Sequence, residues 1–78
     1  MHDMQVAYAL LTVEPGYEEE TLAELKRIES IKETYRVYGV YDIVVRIEAE
    51  NHEKLRAIIS RIRHIQRIRS TTTLIVWE

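Results

Sequence analysis

Hydrophobic and polar positions divide this chain into six segments whose period alternates between two and about 3.6 residues. Gln5 to Val13 is an apolar stretch with β-branched and aromatic members, closed by the turn pair Pro15-Gly16, and it predicts a first strand. Glu18, Glu19 and Glu20 follow, carboxylates placed where the free amides and dipole of a first helical turn favour negative charge. With Leu22, Leu25 and Ile28 at helical spacing and Lys26 and Arg27 toward the end, an amphipathic helix of about three turns is expected. Thr34 to Tyr38 returns to β-prone residues, and Tyr41 to Ile47 sets Ile43, Val45 and Ile47 on one side, so a hairpin should turn through Tyr38-Gly39-Val40-Tyr41. Asn51 suits an N-cap, and Leu55, Ile58, Ile59 and Ile62 fit the i, i+3, i+4, i+7 template of a second helix. Ile68 to Trp77 closes the chain as a fourth strand that carries Ser70-Thr71-Thr72-Thr73 and then Leu74-Ile75-Val76.

The order is therefore βαββαβ, and it contains a faint repeat. Ile28 to Thr34 aligns with Ile65 to Thr71 at an offset of about 37 residues, as two stacked βαβ halves would produce. Short loops and right-handed crossovers leave one economical solution, an α+β ferredoxin-like sandwich: a four-stranded antiparallel sheet with both helices on one face. The other face should then be polar in a monomer, yet both alternating sets of the first strand are apolar, Val6, Tyr8 and Leu10 against Ala7, Ala9, Leu11 and Val13. The last strand repeats this with Ile75 and Trp77 against Leu74 and Val76. An apolar second face points to a homodimer formed through the sheet.

Composition narrows the classes. Seventy-eight residues fit one domain, 1–78, whose small core makes self-association a reasonable expectation. The absence of cysteine removes disulfides, thiolate metal sites and thiol nucleophiles. Apolar residues at 46% and charged residues at 31% describe a folded globular protein, and no apolar run approaches the roughly 20 residues of a membrane helix. The start Met1-His2-Asp3-Met4-Gln5 has no basic n-region, so a complete cytoplasmic protein is expected. One Asn, two Gln and many Glu and Arg resemble thermophile usage. The net charge of -2 is too small for bulk attraction to nucleic acid, although residues 1–53 hold 12 acidic and 5 basic side chains and residues 54–78 hold 6 basic and 1 acidic.

Catalytic and metal chemistry finds little to stand on. His2, His52 and His64 form no i, i+3 or i, i+4 pair, Gly16 and Gly39 begin no phosphate loop, and Ser30, Ser60 and Ser70 lie in no nucleophile elbow. No catalytic residue, metal or cofactor is expected. Asp42-Ile43-Val44-Val45-Arg46-Ile47 offers no base-stacking platform, and Arg61, Arg63, Arg67 and Arg69 read as solvated or paired arginines before they read as phosphate contacts. Two polar constellations remain: Gly39-Val40-Tyr41-Asp42, with a flexible glycine beside a carboxylate, and Thr71, Thr72 and Thr73 with their hydroxyls. Together they supply an acceptor for an ammonium and donors for a carboxylate, as an α-amino acid requires. Taken by themselves, the residues are accounted for more simply by a hairpin turn and a β-prone threonine run.

Val13-Glu14-Pro15-Gly16, Tyr38-Gly39-Val40-Tyr41-Asp42-Ile43 and Arg69-Ser70-Thr71-Thr72-Thr73-Leu74, in this order, resemble the C-terminal effector-binding (RAM) domain of the Lrp/AsnC regulators across nearly the whole chain. The resemblance implies sheet-to-sheet dimers, rings of four or five dimers (octamer or decamer), and amino-acid effectors bound between dimers by Gly39, Val40, Tyr41, Asp42, Thr71, Thr72 and Thr73. Full regulators of that kind carry an N-terminal helix-turn-helix domain, so this chain resembles the stand-alone version, a partner for full-length regulators without DNA binding of its own. Two departures stand out: Glu29-Ser30 and Gln66-Arg67 occupy the turns where the family commonly has Pro-Gly. The expected function is a non-enzymatic amino-acid sensor or modulator; the alternatives are a small enzyme of the dimeric α/β-barrel kind and a structural assembly protein with a vestigial site.

Overall fold

A computed structural model describes residues 4–77 and runs β1 (Gln5–Val13), α1 (Glu18–Lys26), β2 (Ile31–Arg36), β3 (Ile43–Ala49), α2 (His52–Arg63) and β4 (Ile68–Ile75). All strand pairs are antiparallel and the sheet order is β2-β3-β1-β4, the ferredoxin-like α+β sandwich expected from the pattern. Alternation on the two central strands decides where the core lies. Ala7, Ala9 and Leu11 of β1 face Ile47, Val45 and Ile43 of β3 in direct register, and all six are wholly buried. Leu25 of α1 and Leu55 and Ile62 of α2 close over this same face, which puts both helices on one side of the sheet. Each such Leu or Ile contributes about 1.5–3 kcal/mol by leaving water.

The element bounds depart from the sequence pattern in instructive places. β1 matches, but α1 is nine residues long, and Ile28 reaches the core from the turn beyond the C-cap Arg27. The helix buries Thr21 in addition to Leu25. β2 begins at Ile31 and not at Thr34, because Ile31 pairs with Ile47 and is buried. β3 begins at Ile43 and not at Tyr41, since residues 37–42 are taken by the turn, and β4 ends at Ile75, not Trp77. α2 forms as expected: the Asn51 side chain accepts from the Lys54 amide at 2.8 Å, satisfying one of the orphan donors of the first turn.

The repeat is visible in the hydrogen bonds. After α1, Ile28 N donates to Leu25 O and Ile31 N to Ile28 O, both at 3.0 Å; after α2, Ile65 N donates to Ile62 O at 3.0 Å and Ile68 N to Ile65 O at 3.2 Å. Each turn then lends a carbonyl to the next strand over, Ser30 O to Glu48 N and Arg67 O to Glu14 N, both at 2.9 Å. Only Gly16 and Gly39 have positive φ among the described residues, so these turns close without glycine and accommodate Glu29-Ser30 and Gln66-Arg67.

The face away from the helices is apolar with a charged centre. Val6, Tyr8 and Leu10 of β1 and Val44 of β3 are half-buried there, and Tyr35 and Leu74 are exposed on the flanks. Arg46 and Glu48 pair with each other on the same face, and Glu33 accepts from the Tyr35 hydroxyl at 3.2 Å. That bond, together with the nearby Glu33 charge, raises the pKa of the Tyr35 phenol above its ordinary value.

Candidate functional site

The hairpin between β2 and β3 is closed by Val37 N donating to Asp42 O at 3.0 Å. Gly39 sits at φ 126, a conformation that L side chains rarely adopt, and nothing lies within 4 Å of the place where a Cβ would stand. The flanking side chains project outward: Tyr38 is 106% exposed and Val40 82%. Within a single chain this loop is therefore one wall, with no opposing wall to enclose a ligand.

Asp42 anchors that wall. Its amide donates to Leu11 O and its Oδ2 accepts from Val13 N, both at 2.8 Å, so the loop is strapped to the end of β1. One carboxylate oxygen is thus committed to the backbone, and Oδ1 has no protein partner among the described residues. A half-engaged carboxylate at a loop mouth can accept from an ammonium while its other oxygen holds it in position.

The threonines divide between the two faces. Thr71 and Thr73 pair with Leu11 and Ala9 and share their helix-side orientation, whereas Thr72 pairs with Leu10 on the opposite face. Tyr41 joins only Thr72, its hydroxyl donating to Thr72 Oγ1 at 3.3 Å. One molecule approaching one face cannot meet all three hydroxyls. Gly39, Val40, Tyr41, Asp42 and Thr72 can border a single site; Thr71 and Thr73 belong to the far side of the sheet, and Thr73 Oγ1 is buried there without a partner. Period-two alternation of a strand dictates this split, and it could have been read from the sequence once the threonines were placed in a strand.

Two further contacts join residues far apart in the chain and have no local sequence signal. Thr12 and Ser70 share a hydrogen bond of 2.6 Å between their hydroxyls, next to the register shift at which β4 carries the extra residue Arg69. Arg67 lies 4.0 Å above the Tyr17 ring and 3.5 Å from Glu14 Oε1, clasping the Pro15-Gly16 turn to the start of β4. Arg67 is thereby the paired arginine the sequence suggested. Among the histidines, His52 and His64 are exposed, and His2 lies outside the described residues. The described residues contain no group of three metal-ligating side chains, and no helix is long and apolar enough to cross a membrane.

Residues 6–78 match the family model described as Lrp/AsnC ligand binding domain. The chain is 35% identical over 71 residues to the HTH-type transcriptional regulator FL11 of Pyrococcus abyssi, covering 91% of this chain and 47% of the regulator. It thus spans about half the length of the curated relatives it matches. The crystal structure of FFRP-DM1 superposes with a TM-score of 0.91 at 34% identity, covering 94% of this chain and 99% of that one. A shorter similarity, 37% over 49 residues, links it to 10% of a homocitrate synthase from Sulfolobus acidocaldarius.

Proposed function

The chain belongs to the Lrp/AsnC ligand-binding-domain family, and from that premise we propose that it is a non-enzymatic module that binds an α-amino acid and reports its presence to transcriptional regulators of the same family. The exposed hairpin carries this reading. Gly39 lets the backbone present itself without side-chain cover, Asp42 offers its free oxygen to an ammonium, and Tyr41 with Thr72 borders the same edge. Because Tyr38 and Val40 find no cover within the chain, a neighbouring copy supplies the second wall. Thr71 and Thr73, on the helix side of β4, lie outside this wall. The site lies between subunits, and ligand occupancy stabilises the assembly that contains it.

The apolar sheet face gives the assembly its first step. Val6, Tyr8, Leu10 and Val44, flanked by Tyr35 and Leu74, pair with their copies about a two-fold axis, and these dimers build the octamer or decamer. The domain of residues 1–78 acts in the cytoplasm and makes no specific DNA contact itself. The only polar groups on the open face of β3 are Arg46 and Glu48, engaged with each other, and a 10% overlap does not carry a synthase's chemistry to this chain. Thermal denaturation in the presence of each of the twenty amino acids tests the proposal. A ligand of the native state raises the midpoint as RT ln(1 + [L]/Kd), so one or a few amino acids should stand apart from the rest; twenty unchanged midpoints contradict it.

A further inference from the structure

The flank of α2 overhangs the helix side of edge strand β4 and leaves a groove of about 500 Å3 between them. Its helix wall is Arg56, Ile59, Ser60 and Arg63, spaced i, i+3, i+4, i+7 beside the buried line of Leu55 and Ile62, and its strand wall is Thr73 and Ile75. The groove exists because Leu55 and Ile62 draw the helix toward the central strands, where small Ala7 and Ala9 lie, so the outermost strand is only partly covered.

Its chemistry is one-sided. The charged or chargeable side chains lining it are Arg56, Arg63 and His64, and no carboxylate among the described residues forms an ion pair with them. His64 Nδ1 donates to Ser60 O at 2.7 Å, since a carbonyl can only accept, which leaves Nε2 as the free ring atom. Ile59 and Ile75 supply apolar surface, and the hydroxyl of Thr73 on the strand wall is buried and unpartnered. Volumes of roughly 300–1,000 Å3 with apolar walls and a few convergent polar groups are those of small-molecule sites.

We propose that this groove is a second ligand site, separate from the hairpin, for a small organic carboxylate with a branched apolar tail. Arg56 and Arg63 take the carboxylate from the mouth, and Ile59 and Ile75 receive the tail. A free inorganic anion meets the guanidiniums but leaves the isoleucine surface in water, so the tail must add affinity.

The test is an amide 15N–1H NMR titration of the full chain with 4-methylpentanoate, its neutral amide, acetate and inorganic phosphate. The expected result is shifts confined to α2 and β4 around Arg56, Ser60, Arg63 and Thr73, with the acid binding about tenfold or more tightly than its amide and than acetate or phosphate. The exposed pair Arg56→Gln with Arg63→Gln should abolish most of that binding while the rest of the spectrum stays in place, and Asp42→Asn should leave it unchanged. Shifts at residues 37–42, equal binding of acid and amide, equal binding of phosphate, or no shifts at millimolar ligand each overturn the proposal. Because Asp42→Asn reads the hairpin and the arginine pair reads the groove, failure of one is distinguishable from failure of the other.

Discussion

Asp42 Oδ2 accepts a hydrogen bond from the amide of Val13, 29 residues earlier in the chain, at 2.8 Å. This bond joins the hairpin to the end of β1 and fixes the side chain on which the proposed ammonium contact depends. It also separates two roles in one carboxylate, an anchoring oxygen and a free one.

Asp42→Ala and Asp42→Asn should therefore differ in stability. Alanine leaves the Val13 amide without its acceptor and should cost about 1–3 kcal/mol, whereas the asparagine carbonyl can still accept and should cost little. Urea denaturation of the two variants measures the gap, and equal losses would show that the Val13 bond is dispensable.

Gly39→Ala isolates a backbone effect. A Cβ there meets no atom within 4 Å, so the cost comes from holding an L residue at φ 126 and should be about 1–3 kcal/mol. A midpoint equal to that of the parent in thermal denaturation would mean the loop relaxes freely.

Leu10 and Leu11 are sequence neighbours on opposite faces of β1, and charge should act on them differently. Leu11 is wholly buried under the helices, so Leu11→Asp should unfold the chain; Leu10 lies half-buried on the open face, so Leu10→Asp should leave a folded chain and break the proposed dimer. Light scattering should give Leu10→Asp the monomer mass of 9.3 kDa and the parent a multiple of it. A parent of 9.3 kDa at micromolar concentration contradicts the assembly.

The Tyr35 phenol should ionise above the ordinary tyrosine range, because its hydrogen bond to Glu33 favours the protonated form. A folded-state pKa above the unfolded one adds stability below the unfolded value, and that increment is lost as pH rises through the folded value. Spectrophotometric titration of the parent against Tyr35→Phe isolates this phenol, and Glu33→Ala should bring it back down. No change on Glu33→Ala would assign the shift to another cause.

Much of this architecture could be read from local pattern because local chemistry and long-range packing agree. Asn51 caps α2 and Leu55 and Ile62 enter the core where the period of 3.6 places them, and Ile43, Val45 and Ile47 do the same at period two. Ends were harder to read: Ile31 joins β2 because Ile47 stands opposite it, a partner that no local window contains. The candidate site was legible as residue types and not as geometry. Tyr41, Asp42 and three threonines announce hydroxyl and carboxylate chemistry, yet only the pairing of β4 with β1 sends Thr72 to one face and Thr71 and Thr73 to the other. The bond from Val13 to Asp42 has no local signal at all, since it exists only once two distant segments meet.

The proposed function puts the ammonium of an amino acid on the free oxygen of Asp42. Titration calorimetry tests it most directly, using the amino acid that gives the largest thermal shift and comparing the parent with Asp42→Asn, which keeps the shape of the side chain and the Val13 bond. With its one carbonyl oxygen held on the Val13 amide, asparagine turns an NH2 donor toward the ammonium, so the charge-assisted hydrogen bond is lost and binding should weaken by at least about 1–3 kcal/mol, roughly 5- to 150-fold in Kd, with the assembly unchanged by light scattering. Equal affinity in the two proteins, with the same assembly, would make the hairpin a turn and nothing more.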